Sequence, residues 1–445
     1  MAERHVGRPP AELLVRGGTV VDRGGSRRAD VLVRHGEVAE VGDGLGAGAG
    51  AEVLDAGGCV VAPGLVDLHA HLRQPGREEA ETIETGTRAA ALGGYTAVVA
   101  MPNTEPPLDS ADAVRSVLEL AQGASTDVAV AAAITVGRAG ERLAPMAELA
   151  GLGVRLFTDD GSGVQSSSLM RRALEYGSAL GVTMAQHCEE DSLAGAGAMH
   201  EGAWSSRLGL PGIPGLAEDL MVARDLALLR DVCRRGRPAR LHFLHLSTAA
   251  ALELVRRARA DGLPVTAEVA PHHFTLTDEC VAGYDPVFKV NPPLRPDADR
   301  TAVLEALADG TVDAIATDHA PHAPEQKDLP FDEAPPGMLG LETALGLALS
   351  ESGLGVEQVL ALMSWQPARV AGLDPGHGGA QGGPVAPGAA ANLCVVDSEA
   401  TWTVDPARMA SRSRNTPYAG RRLRGRVRHT VLRGEPVVVD AEAQR

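Results

Sequence analysis

The chain has 445 residues with 52 Gly and 29 Pro, too much backbone punctuation for a coiled coil or helical bundle and far too little for a collagen-like repeat. Apolar residues make up 44%, but with only 5 Phe, 4 Tyr and 3 Trp among them the core must be filled by Val, Leu, Ile and Ala. A net charge of −17 makes the chain a poor electrostatic partner for nucleic acid or an anionic membrane, so any anionic substrate needs a local basic pocket. All but two of the 41 basic residues are Arg; the only lysines are Lys289 and Lys327. Cys59, Cys188, Cys233, Cys280 and Cys394 are scattered without a C-x-x-C, so neither a disulfide framework nor a Cys-based zinc site follows. The N-terminus lacks the apolar core of a signal peptide, and no run of about 18 apolar residues suggests a membrane span. The expectation is a soluble, cytoplasmic protein.

Residues 1–10, polar and ending in Pro-Pro, are expected to fray. Between 12 and about 61, ELLVRGGTVV, ADVLVRHGEVAEVG and EVLDAGGCVV are short apolar runs broken by glycine, which read as β-strands. ANLCVVD, TWTVD and HTVLRGEPVVVD read the same way near the other end. Residues 1–62 and 386–445 are therefore expected to build one small composite β-sandwich. The middle, 63–385, alternates. Strand-like runs end at LVDLHAHL, YTAVVAMP, DVAVAAAITV, VRLFTDD, VTMAQHC, LHFLHLS, PVTAEVAPHH and AIATDHAPH, and between most of them lie stretches with helical spacing such as ADAVRSVLELAQ. Eight such units predict a (β/α)8 TIM-like barrel rather than an open doubly wound sheet, and the absence of G-x-G-x-x-G after the first strand removes a dinucleotide site. The Gly-rich stretches 44–50 and 376–390 read as flexible connections.

Barrel chemistry sits at the carboxyl ends of strands. His69 and His71 end the first strand, Asp159 and Asp160 the fourth, His187 the fifth, His245 the sixth and Asp318 the eighth. His69 and His71 have the same strand parity, and Asp67 shares it one step deeper, placed to orient a ligand. Donors of imidazole nitrogen and carboxylate oxygen, without thiolate, suit Zn²⁺ or another borderline divalent ion. His242 and His245 have opposite parity, so His245 is read as the ligand and His242 as structural. Parity leaves Asp159 and Asp160 open. His272, His273 and His319 read as structural or supporting. Asp318 could touch the ion and also carry a proton, which amide hydrolysis or its reverse requires of a group beside an activated water. Two ions about 3.5–4 Å apart would need a bridging ligand, for which a strand-four carboxylate could serve. On the substrate side, Arg73 offers a fork matched to a carboxylate, while Asn103, Asn291 and His322 follow predicted strands and complete an anion-accepting rim.

PGLVDLHAHLRQPG, ETGTRAAALGGYTAVVAMPNT, FTDDGSGVQ, HCEE, HLST, TAEVAPHHFTLT, NPPLR, ATDHAPH and GLETALGLAL, in that order from about residue 12 to about 435, closely resemble the dihydroorotases of the bacterial long-chain class, in the amidohydrolase superfamily. The resemblance implies a zinc enzyme that interconverts N-carbamoyl-L-aspartate and (S)-dihydroorotate plus water in pyrimidine synthesis. It implies one zinc on His69, His71, Asp160 and Asp318 and, where a second is present, that ion on His187 and His245 with Asp160 bridging. Asp318 would be the acid/base. Arg73, Asn103 and His322 would hold the substrate carboxylate, with Asn291 and the backbone near Pro336 and Gly337 on the ring.

Hydantoinases, dihydropyrimidinases and many allantoinases bridge their metals with a carboxylated lysine on strand four. The segment GLGVRLFTDD has none, which leaves an aspartate bridge. Another cyclic-amide hydrolase is the alternative activity, which Arg73 and the two asparagines disfavour. A non-catalytic barrel that scaffolds aspartate carbamoyltransferase is disfavoured because all six ligands are present; association with that transferase alongside activity, and a homo-oligomer, are compatible with the family. One departure stands out. Relatives usually have A-P-F-G before the GLET helix where this chain has Ala334-Pro335-Pro336-Gly337, losing an aromatic ring and a backbone N–H in the stretch expected over the substrate.

Overall fold

The computed structural model describes residues 10–445; the fraying expected of the N-terminus falls, Pro10 apart, outside this range. Seven strands come first: β1 Glu12–Arg16, β2 Thr19–Asp22, β3 Gly25–Arg28, β4 Asp30–Arg34, β5 Glu37–Gly42, β6 Glu52–Asp55 and β7 Val60–Pro63. The barrel follows with β8 Leu65–Ala70, β9 Tyr95–Ala100, β10 Asp127–Ala132, β11 Leu156–Phe157 and β12 Thr183–Gln186. A two-stranded excursion, β13 Met199–His200 and β14 Gly212–Ile213, precedes β15 Arg240–Phe243, β16 Val265–Val269 and β17 Ala314–Ile315. The chain ends with β18 Leu393–Thr403, β19 Arg422–Leu432, β20 Glu435–Val439 and β21 Glu442–Ala443.

The eight barrel strands are ordered β17-β16-β15-β12-β11-β10-β9-β8, all parallel. A parallel bridge between Ala70 and His319, with the His71 amide donating to His319 O at 2.8 Å, joins the first strand to the last. β8 and β9 are buried along their whole length, as expected where helices cover a parallel sheet. Those helices begin where a hydroxyl can cap them: Thr82, Ser110 and Thr248 accept from backbone amides of Ile83–Leu92, Ala111–Leu120 and Ala249–Ala260. The main core lies between helices and strands, and a second cluster including Leu68, Val99, Ala131, Leu156, Ala185, Leu244 and Ala314 fills the inside of the barrel.

The two ends of the chain meet in one seven-stranded sheet, β21-β20-β19-β18-β7-β2-β3, in which β18 runs antiparallel to β7. A four-stranded sheet, β5-β4-β1-β6, faces it across a core that includes Leu13, Val31, Val61, Leu393 and Val431. The stretch 376–390 is not a free connection. Gln381 bonds Thr96 Oγ1 at 2.7 Å and Asp127 Oδ2 at 2.9 Å, and the Val385 amide donates to Asp22. Its glycines permit close packing: a Cβ on Gly382 would lie 2.6 Å from Ala368. No helix among the described residues is long and apolar enough to cross a membrane.

Candidate metal centre

The strand ends converge on a cavity of about 110 Å³ whose lining includes His71, Arg73, Asp160, His187, His245, Asn291 and Asp318. Three of its residues reach it by leaving strand geometry: Arg73, His245 and Asp318 have φ of 61°, 30° and 47°. Such values are uncommon outside glycine, and they gather where a fold fixes a functional side chain.

Asp160 lies at the centre. Its Oδ2 is 3.4 Å from His69 Nε2 and 3.5 Å from His71 Nε2, while its Oδ1 is 3.4 Å from His245 Nε2 and 3.6 Å from His187 Nδ1. Asp318 Oδ1 completes the first group, 3.5 Å from His69 Nε2 and 3.3 Å from His71 Nε2. Two donor sets therefore share one carboxylate, His69–His71–Asp160 and Asp160–His187–His245. Donors around a tetrahedral ion at about 2.0–2.1 Å lie about 3.3–3.4 Å apart, close to these spacings. His69 Nε2 and Asp160 Oδ1 are moreover buried without any hydrogen-bond partner, a costly state that a cation relieves. The donor chemistry fits a divalent ion of the zinc type.

Ring orientation comes from residues behind the donors. His69 Nδ1 donates to Glu268 Oε1 at 2.9 Å, which turns Nε2 towards Asp160. Glu268 Oε2 is bonded in turn by His242 Nε2 at 3.1 Å. His71 Nδ1 donates to Asn103 Oδ1 at 2.8 Å. Fixing the tautomer this way is how outer hydrogen bonds tune metal ligands. Sequence reasoning did not single out Glu268, and it set His242 on the wrong side. The parity argument assumed that His242 and His245 share a strand, but β15 ends at Phe243 and the chain then turns through the positive φ of His245. His242 thus points into the barrel as well. Asp67 also departs from expectation. β8 has register shifts at Leu65/Val66 and Asp67/Ala70, and the Asp67 carboxylate, instead of orienting an imidazole, accepts from Thr317 N at 2.8 Å and Thr317 Oγ1 at 2.6 Å. It thereby anchors the residue before Asp318. Asp159 faces away from the donors and accepts from the Thr135 amide at 3.0 Å.

Burial disfavours charge on the Asp318 carboxyl, yet His69 and His71 beside it hold its pKa below the usual range. His272 is buried and kept neutral, its pKa lowered to about 4 by desolvation. Its Nε2 has no hydrogen-bond partner and faces Asp318 Oδ2 at 3.9 Å, closer to the chemistry than a structural histidine would be.

The remaining predicted residues form the rim. Arg73 is buried and donates from Nε to Pro321 O at 3.0 Å, with no carboxylate in ion-pairing reach among the described residues. Desolvation, with repulsion from Arg77, lowers its pKa to about 10, so the guanidinium stays charged. Its Nη2 lies 3.5 Å from His322 Nε2, and that nitrogen is also 2.8 Å from Pro336 O. Asn291 Nδ2 is 3.5 Å from His187 Nε2 and 3.3 Å from Glu189 Oε1, leaving its buried Oδ1 unpartnered. Pro336 has no N–H, and the Gly337 amide donates to Lys289 O at 2.8 Å, so this wall presents no free amide to the cavity.

A profile described as Dihydro-orotase-like matches residues 58–234. A dihydroorotase of Pelotomaculum thermopropionicum is 48% identical over 435 residues, covering 96% of this chain and 99% of that protein. The chain belongs to the dihydroorotase family. A dihydroorotase of Streptomyces coelicolor is also 48% identical, over 97% of this chain and 99% of its own length. Among solved structures, the L-hydantoinase (dihydropyrimidinase) of Arthrobacter aurescens superposes with a TM-score of 0.85 at 24% identity, covering 97% of each chain, a likeness of fold.

Proposed function

We propose that the protein is a dihydroorotase, interconverting N-carbamoyl-L-aspartate and (S)-dihydroorotate plus water at a zinc centre. The observation that carries this reading is one carboxylate, Asp160, shared between two histidine pairs beside the buried, carboxylate-free guanidinium of Arg73. His69, His71 and Asp318 would hold one ion, His187 and His245 the other, and Asp160 both. When bound, such ions supply Lewis acidity and bring the pKa of a coordinated water to about 7.

The chain's own contributions follow from the geometry. Arg73 would receive the substrate carboxylate in its fork, with Asn103 and His322 beside it. Asn291 and the carbonyls of Pro336 and Gly337 would face the ring. Asp318 turns Oδ1 to the histidines, leaving Oδ2 to move a proton. In the hydrolytic direction Oδ2 takes a proton from the water that adds to the ring carbonyl carbon, then delivers it to the ring nitrogen as the C–N bond breaks. In the synthetic direction the carbamoyl nitrogen adds to the carbon of the side-chain carboxyl group, protonated from solvent, and its proton passes to Asp318, which returns it to the leaving hydroxyl as the C–O bond breaks and water departs. The hydantoinase-type bridge is disfavoured because strand four carries no lysine, and the ammonium groups of Lys289 and Lys327 are bonded to the backbone carbonyls of Asp332 and Pro335.

The test is the absorbance of dihydroorotate incubated with purified protein, before and after chelation and on return of zinc. Chelator-sensitive turnover restored by zinc, with little activity on hydantoin or allantoin, is expected. Absence of turnover by the zinc-loaded protein, or faster hydrolysis of hydantoin, would overturn the reading. A homo-oligomer belongs to the same proposal and is read from the mass in solution.

A further inference from the structure

The only two lysines of the chain bond to backbone carbonyls of the segments next to the cavity, without lining it themselves. Lys327 Nζ donates to three backbone carbonyls: Pro335 at 2.8 Å, Pro286 at 3.0 Å and Lys289 at 3.4 Å. An ammonium has three protons, so its donors are fully used, and among the described residues no carboxylate pairs with it. The next two carbonyls are also held, Pro336 O by His322 Nε2 at 2.8 Å and Gly337 O by Asn415 Nδ2 at 3.1 Å. With the Gly337 amide donating to Lys289 O at 2.8 Å, every polar backbone group from Pro335 to Gly337 has a partner within the protein. Position 337 tolerates only glycine: its φ is +144°, and a Cβ there would lie 2.7 Å from both Ala320 Cβ and His322 Nε2.

The two segments tied by Lys327 both contribute to the cavity, Val290 and Asn291 from one and Pro336 and Gly337 from the other. We propose that Lys327 is a positioning residue for the substrate: its ammonium ties the Pro286–Lys289 turn to Pro335 and so sets the spacing between the Asn291 amide and the Pro336 and Gly337 carbonyls across the cavity. This rests on the reading that the cavity binds the cyclic substrate. A cation serves here because it alone can draw three carbonyl dipoles to one point. Burial, with repulsion from Lys289, lowers its pKa to about 7.

The experiment compares wild type with Lys327→Met, of similar length but without charge or donors. KM for dihydroorotate is expected to rise about tenfold with kcat within about threefold, since misplacing binding groups by a fraction of an ångström weakens the bound states without removing the reacting groups. Metal content should be unchanged, and amide hydrogen exchange in the peptide spanning 330–340 should accelerate. A lower melting temperature with unchanged KM would overturn the proposal and leave Lys327 a structural link. Should Lys327→Met fail to fold, Lys327→Gln, whose amide can reach fewer carbonyls, carries the same readouts. A wild type without turnover defeats the functional reading instead; exchange in 330–340 then decides the clamp alone, and no change on removing the ammonium overturns it.

Discussion

Two histidine–carboxylate clusters meet where the first and last barrel strands join, and they differ in how they are completed. At the candidate metal centre, His69 Nε2 and Asp160 Oδ1 are buried with no hydrogen-bond partner. One residue beyond Asp318, His319 has both ring nitrogens engaged, Nε2 at 3.4 Å from Glu81 Oε2 and Nδ1 accepting from the Gly340 amide at 3.2 Å. Glu81 accepts in turn from Ser411 Oγ and, at 3.0 Å, from the Arg412 amide. Residue types and depth are alike. The second cluster closes on protein atoms, whereas the first leaves buried donor atoms without a partner, the state expected of a ligand site rather than of a buried structural network.

The largest effect expected from breaking the first cluster is at Asp318. Asp318→Asn should retain metal and lose several orders of magnitude in turnover, measured as kcat alongside metal analysis; near-normal turnover would remove Asp318 from proton transfer. Removing Glu268, which orients His69, tests whether the donors depend on what stands behind them. Glu268→Gln should weaken metal binding roughly 10- to 100-fold in a chelator competition, and unchanged affinity would contradict that dependence. Arg73→Ala leaves the cluster whole and should raise KM for the anion by about tenfold with a smaller change in kcat; an unchanged KM would separate Arg73 from the carboxylate.

The second cluster should answer in stability rather than activity. Glu342 accepts from the Ala410 amide at 2.9 Å next to the Glu81 network, and burial raises its pKa from 4.5 to about 7. The folded state holds this proton more tightly than the unfolded one. Stability from this group is therefore present below about pH 4.5 and lost as pH rises towards 7. Glu342→Gln should flatten that part of the melting-temperature profile without changing metal content. A slope that persists in the variant would assign it elsewhere.

The strand ends and five of the six candidate donor positions were legible because histidine and aspartate are conspicuous at the close of apolar runs, and the eight runs themselves were legible from their regular spacing with helical stretches. The fourth-strand candidate, Asp160, needed the family resemblance, since parity alone left Asp159 and Asp160 equivalent. What parity missed were places where the backbone stops being a strand: the kink at His245 and the register shifts around Asp67. Glu268 had a signal that went unused, a lone carboxylate inside TAEVAPHH with both neighbours apolar, a placement that demands a partner. The clamp at Lys327 had none, since its partners are backbone carbonyls and carbonyl positions are not written in residue types.

The Asp67–Thr317 bonds and the Ala70–His319 bridge lie across the closing joint of the barrel, and His69 and His71 face Asp318 over that same joint. About 250 residues separate the partners in sequence, so the contact is strongly non-local and its loop-closure entropy is large. The centre therefore cannot assemble on a partly formed barrel. Because an ion that binds only the closed form stabilises it by mass action, occupancy of the centre reports, and secures, completion of the whole fold.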